Sequence, residues 1–121
     1  MNKFATTLIV VMCFTSFGAI AQNQDNFESL ISILQDKNSR EIIYSVQLGA
    51  FKKQHEEGHF DNVEQLFSHS YDDGFTRFFS KLFRSLDDAV AYRNSIRLKG
   101  YADAFVLGLD GGFDRILLEV D

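Results

Sequence analysis

The sequence predicts an α+β domain: an antiparallel four-stranded sheet with helices on one face, preceded by an N-terminal helix. Three features carry that prediction. Tyr44-Ser-Val-Gln-Leu-Gly-Ala-Phe51 alternates as a strand does. Asp72-Asp73-Gly74, set between two aromatic runs, is a hairpin signal. Ser85 opens a stretch of helical period that stops at Gly100. The implied order is strand, connection, strand, turn, strand, helix, strand. A sheet of this kind has one face free to hold something long and flat, which points to binding rather than catalysis.

The chain starts with an export pattern. Lys3 is followed by an apolar run over residues 4–17, and Ala19-Ile20-Ala21 fits a small-x-small cleavage site. That run is too short for a membrane span, so the expectation is a signal over 1–21, cleavage before Gln22 and a periplasmic protein without a stable span. Cys13, the single cysteine, lies inside the signal, leaving no disulfide or thiolate metal site to hold the rest. Packing must do that work, and only three of the thirteen phenylalanines leave with the signal. The formal net charge of −5, more negative once Lys3 is gone, disfavours nucleic acid and anionic membrane surfaces.

Residues 26–35 read as an amphipathic helix capped by Asp25 or Asn26, with Phe27, Leu30, Ile31 and Leu34 on one stripe. With its polar exit it forms a unit over 22–40, and a domain follows over 41–121. On the first strand, Tyr44, Val46, Leu48 and Ala50 suit a core; Ser45, Gln47, Gly49 and Phe51 lie opposite. Residues 61–71 fit two patterns: Val63, Leu66, Phe67 and Ser70 a helix, Phe67, His69 and Tyr71 a strand. The hairpin turn that follows favours a helical turn near 61–65 and then a strand. Over residues 75–83, Phe75, Arg77, Phe79 and Lys81 separate from Thr76, Phe78, Ser80 and Leu82. In the next helix Leu86, Ala89, Val90, Arg93, Ile96 and Arg97 follow the period, with Arg93, Arg97 and Lys99 near its end. Residues 104–109 read as a core strand, and 113–120 as a short edge strand.

At this point the residues resemble a known family. Val46-Gln47-Leu48-Gly49-Ala50-Phe51, Asp73-Gly74-Phe75-Thr76-Arg77, Phe83-Arg-Ser-Leu-Asp-Asp-Ala89, and the run from Arg93 through Lys99-Gly100-Tyr101 to Phe105-Val106 are similar to the sporulation-related repeat (SPOR) domain, over about residues 42–110. The resemblance implies a ferredoxin-like (RNP-like) sheet and a non-enzymatic module at the cell wall, with no cofactor. Its implied partner is the glycan strand of peptidoglycan, preferably stripped of stem peptides, and it implies work alongside cell-envelope or division proteins. By position, the implied glycan-binding residues are Gln47, Gly49, Phe51, Phe75, Arg77, Phe79 and Lys81. Gln47 donates and accepts, Arg77 offers a fork of donors, and Phe75 gives a ring for a sugar's C–H face. Three departures stand out: Ser80-Lys81 where the family usually has a glycine, Ala50 in place of a small polar residue, and a shortened first helix.

Two alternatives compete with this reading. One is an exported adaptor of the same fold that binds a protein partner and no sugar. It is the outcome if Phe27, Leu30, Ile31 and Leu34 cover the face that carries Phe75 and Phe79. The other is a zinc peptidase, because His55-Glu56-Glu57-Gly58-His59 matches H-E-x-x-H. That chemistry needs both histidines on one helical face and a third ligand. Here a glycine interrupts a polar loop, and a solvated loop is the plainer account. His69 likewise reads as a surface histidine.

Overall fold

The computed structural model describes residues 26–52, 60 and 62–120. The export signal and the His55/His59 motif lie outside the described residues. The elements are α1 (Phe27–Gln35), β1 (Ile43–Phe51), β2 (Leu66–Ser70), β3 (Thr76–Phe83), α2 (Leu86–Leu98), β4 (Phe105–Asp110), a 3-10 turn (Gly111–Phe113) and β5 (Asp114–Leu117). The strands form one antiparallel sheet in the order β2-β3-β1-β4-β5. The class is α+β as expected, but the sheet has five strands and not four. After Asp110 the chain turns through Gly112, at φ 77°, and pairs back on β4, with Leu117 opposite Leu107.

Local signals set the element ends. Asn26 caps α1, its Oδ1 accepting from the Ser29 N–H at 2.8 Å. Ser85 caps α2, its Oγ accepting from the Asp88 N–H at 3.3 Å. At the far end of α2, Gly100 N–H bonds to Arg97 C=O and Tyr101 N–H to Ile96 C=O, with Gly100 at φ 115°. This paired return is the Schellman ending that the glycine permits. The ambiguous segment resolves as a strand, β2, which closes on β3 through Gly74 at φ 90°.

The N-terminal helix α1, for which the sequence sets no side, lies on the face of the sheet opposite α2. Leu30 and Leu34 of α1 bury against Ile43, Phe79, Leu82, Leu107 and Leu109. Ala89 and Ile96 of α2 bury against Val46, Ala104 and Val106. The reason is legible in β4, where Phe105-Val-Leu-Gly-Leu109 is apolar on both sides. A strand without alternation needs cover on both faces. Leu34, Ile43, Phe79, Leu107 and Leu109 are wholly buried, so α1 is part of the core. Each such side chain contributes on the order of 1.5–3 kcal/mol by its burial.

Two irregularities in the β1–β3 pairing decide which side chains share a face. The register slips between Tyr44 and Val46, and again between Gln47 and Gly49. The first slip falls at Lys81, which sits at φ 63°. At the second, Gln47 is opposite Phe79 but Gly49 is opposite Phe78. One extra residue on β1 therefore reverses the alternation for everything after it.

The two sheet edges also meet on the α1 side. Tyr71, just after β2, donates its hydroxyl to the Phe113 carbonyl at 2.7 Å, just before β5. His69 stacks on the Phe113 ring at 4.7 Å. The turn is clamped from behind, where Gly111 N–H bonds to Ser39 C=O at 3.2 Å.

Candidate binding site on the α1 face

The bulge divides the seven residues that the family resemblance proposes. Gln47, opposite Phe79, and Arg77, opposite Ala50, lie on the α1 face. Phe75 joins them, its ring 5.2 Å from the Arg77 guanidinium. Gly49, opposite Phe78, and Phe51, opposite Thr76, turn to the α2 face. There Phe51 meets the rings of Phe60 and Phe78 at 6.2 and 5.9 Å, and Phe60 reaches Tyr101 at 6.0 Å. Lys81 leaves as well: its ammonium sits 5.0 Å from the Tyr92 ring of α2 and 3.6 Å from Glu64. Phe79 stays on the α1 face but is fully buried beneath that helix. The expected row of seven thus reduces to a cluster around Gln47, Phe75 and Arg77, at the end that α1 does not cover.

Each member of the cluster is held. The Arg77 Nη1 and Nη2 donate to the two Asp73 oxygens at 3.3 and 3.0 Å. Asp73 sits in the hairpin turn, where its Oδ1 also accepts from the Phe75 N–H at 3.0 Å. The guanidinium lies between two rings, 5.1 Å from Tyr71 and 5.2 Å from Phe75. Only 12% of the Arg77 side chain is exposed, and its Nε is buried without a partner among the described residues. Lys52 places its ammonium 5.3 Å from the Phe75 ring. Gln47 is 6% exposed. Its Oε1 accepts from the Arg115 Nε at 3.1 Å.

Arg115 is the member that reading the sequence missed. It lies on β5 across from Leu109, hence on the α1 face. A single arginine in a short terminal strand gives no pattern to find; only the pairing of β5 with β4 brings it over the sheet.

The electrostatics of the cluster are uneven. The Arg77 hydrogen bonds, then the Phe75 N–H, hold the Asp73 carboxyl below its usual range. Burial pushes the Arg115 guanidinium down, and the Arg77 charge pushes it further. Burial raises the Tyr71 phenol to about 12, against the pull of Arg115 and Arg77. Burial lowers His69, with Asp114 acting the other way. Two guanidiniums therefore crowd one carboxylate in a half-dry setting. The cluster presents N–H donors, positive charge and an aromatic ring, which suits a polar, oxygen-rich ligand.

Compared with known family models, curated proteins and solved structures, the chain matches none.

Proposed function

We propose that the protein is an exported, non-enzymatic module of SPOR-like, ferredoxin-like fold that binds peptidoglycan glycan strands, preferably stripped of stem peptides. The reading rests on the motifs of the sequence, and the fold is compatible with it. The strand order β2-β3-β1-β4, antiparallel throughout, is compatible with a ferredoxin-like sheet, with β5 as a fifth strand at its edge. Phe60, from the segment between β1 and β2, packs near Tyr101 at the end of α2, the side where such a fold carries its crossovers.

The observation that carries the proposal is the meeting of Phe75 and Arg77 on the α1 face, with the Gln47–Arg115 pair on the same face and both arginines acting on Tyr71. The covered half is no masked sugar platform. Ile43, Phe79, Leu82, Leu107 and Leu109 offer no hydrogen bond and belong to the core. The glycan contact is accordingly short, centred on Phe75, Arg77 and Arg115, with Gln47 acting from beneath through Arg115.

Co-sedimentation with purified sacculi, before and after amidase treatment, is the test. The folded protein should pellet, more strongly with treated sacculi, and Arg77→Ala should weaken pelleting. No pelleting with either preparation rejects the proposal.

One observation favours the adaptor reading: Gln47 and Phe79 are closed off by the chain itself, which shortens the platform. On that reading an intact Arg77→Ala variant still captures one protein partner in crosslinking. Loss of the crosslink in that variant argues against it.

A further inference from the structure

Among the described residues, the end of the α1 face beyond that helix brings Arg77, Arg115 and Lys52 together with one carboxylate that pairs with any of them. Asp73 is taken by both terminal nitrogens of Arg77. The Arg77 Nε, shut off from solvent, has no partner among the described residues. Arg115 spends its Nε on the neutral Gln47, and among the described residues no carboxylate lies within ion-pairing distance of it. Lys52 adds a third cation over Phe75. Among the described residues Asp73 is the one carboxylate paired with an arginine here, while Asp114, at the start of β5, acts on Tyr71. Burial and the neighbouring Arg77 charge both disfavour the charge on Arg115. Guanidiniums set against rings in a half-dry place, short of one counter-charge, gain most from an anion that arrives from outside.

We propose that Arg77 and Arg115 bind a carboxylate carried on a sugar, Arg115 donating from its terminal nitrogens while the Phe75 ring meets the C–H face of the sugar. This rests on the glycan reading above and names the group that the site reads. An amidase that removes a stem peptide cleaves the amide on the lactyl ether of the muramic acid ring and leaves a free carboxylate there. A strand that keeps its peptides presents a neutral amide at that point, which a pair of guanidiniums has no reason to prefer. Arg115 lies beyond the stretch of about 42–110 that resembles the SPOR family, so the discrimination belongs to this chain's added strand.

The experiment is a titration of the purified protein, following the arginine Nε–Hε resonances by NMR. The probes are N-acetylmuramic acid, N-acetylglucosamine and inorganic phosphate. N-acetylmuramic acid is expected to move the Arg77 and Arg115 signals, and N-acetylglucosamine to leave them in place. Loss of one charged donor pair predicts about tenfold weaker binding of N-acetylmuramic acid by Arg115→Gln, with Arg115→Lys in between. Equal responses to the two sugars, or a response to phosphate as strong as that to N-acetylmuramic acid, overturn the assignment. Pelleting with amidase-treated sacculi separates the two levels. If Arg115→Gln pellets like the unaltered protein, the carboxylate assignment falls and the glycan reading stands. If the unaltered protein does not pellet, the glycan reading falls.

Discussion

Arg115 donates its Nε–H to the side-chain oxygen of Gln47 at 3.1 Å, reaching from the edge strand to the centre of the sheet. The glutamine that the motif offers to a ligand is thereby turned into a support for an arginine. Gln47 is 6% exposed, and the bond to it engages only the Nε of Arg115. The pair moves the chemistry of the face from an amide on β1 to a guanidinium on β5.

Replacing Gln47 by Ala is therefore expected to act indirectly. It removes the acceptor for Arg115 Nε and leaves a part-buried guanidinium short of a bond. A stability loss of about 1–3 kcal/mol follows from the unmet donor. Urea unfolding of Gln47→Ala measures it. In a double-mutant cycle with Arg115→Gln the two losses should fall well short of adding, because they break the same bond. Full additivity would show that the two residues do not act together.

The fold class and the element ends were largely legible in the sequence because they depend on local chemistry. Asn26, Ser85, Gly74 and Gly100 each act at their own position. The face assignment failed because it depends on register. Strict alternation puts Gln47, Gly49 and Phe51 together, and one extra residue on β1 sends two of them to the other side. A glycine inside a strand, as Gly49 is, commonly marks a bulge, and the slip does fall beside it; the glycine alone does not say that the faces swap there. The two-sided cover was readable in principle, since β4 and Ile43 are apolar on the side assigned to solvent. Taken with the apolar stripe of α1, that should have placed the helix over the sheet.

The second prediction concerns α1, which the burial of Leu34 makes structural and not a removable lid. Leu34→Ala should cost about 2–5 kcal/mol, the range for emptying a fully buried leucine site. Removing residues 26–35 bares Ile43, Phe79, Leu107 and Leu109 together. The expected result is aggregation or a broad, uncooperative unfolding transition. A shortened protein that unfolded cooperatively and pelleted better with sacculi would show instead that the helix masks a sugar site.

The third prediction tests how the β4–β5 turn is locked to the segment after α1. A Cβ on Gly111 would clash with the Asp36 carbonyl oxygen and lie 2.6 Å from that of Ser39. Both are backbone atoms and cannot swing aside as a side chain would. Gly111→Ala should therefore push the turn off residues 36–39 and strain the Gly111 N–H bond to Ser39. The cost is about 1–3 kcal/mol, as for other overpacked sites. Gly74→Ala is the contrast, because a Cβ there meets nothing within 4 Å and the strain is only that of φ 90°. Hydrogen exchange should show faster opening of α1 in Gly111→Ala and not in Gly74→Ala.

The last prediction is a pH dependence at the alkaline end, set by Tyr71. Burial holds its phenol at about 12 against an ordinary 10.0, although Arg115 and Arg77 pull it down. The folded protein keeps this proton more tightly than the unfolded chain does. The resulting stability is whole below pH 10 and is lost as the pH climbs toward 12. Over the same interval the Tyr71 hydroxyl ceases to donate to the Phe113 carbonyl, so the link between the two sheet edges opens. Tyrosinate absorbance should show a late phenol that is absent in Tyr71→Phe. That variant loses one hydrogen bond, about 1 kcal/mol at neutral pH, and its urea midpoint should fall less steeply with rising alkalinity. Arg115→Gln should push the late titration higher still, since it removes the first of the charges that favour the phenolate. If the late phenol is unmoved by Arg115→Gln, the guanidinium does not stand against Tyr71, and the crowding of positive charge on this face is not what holds the site in its strained balance.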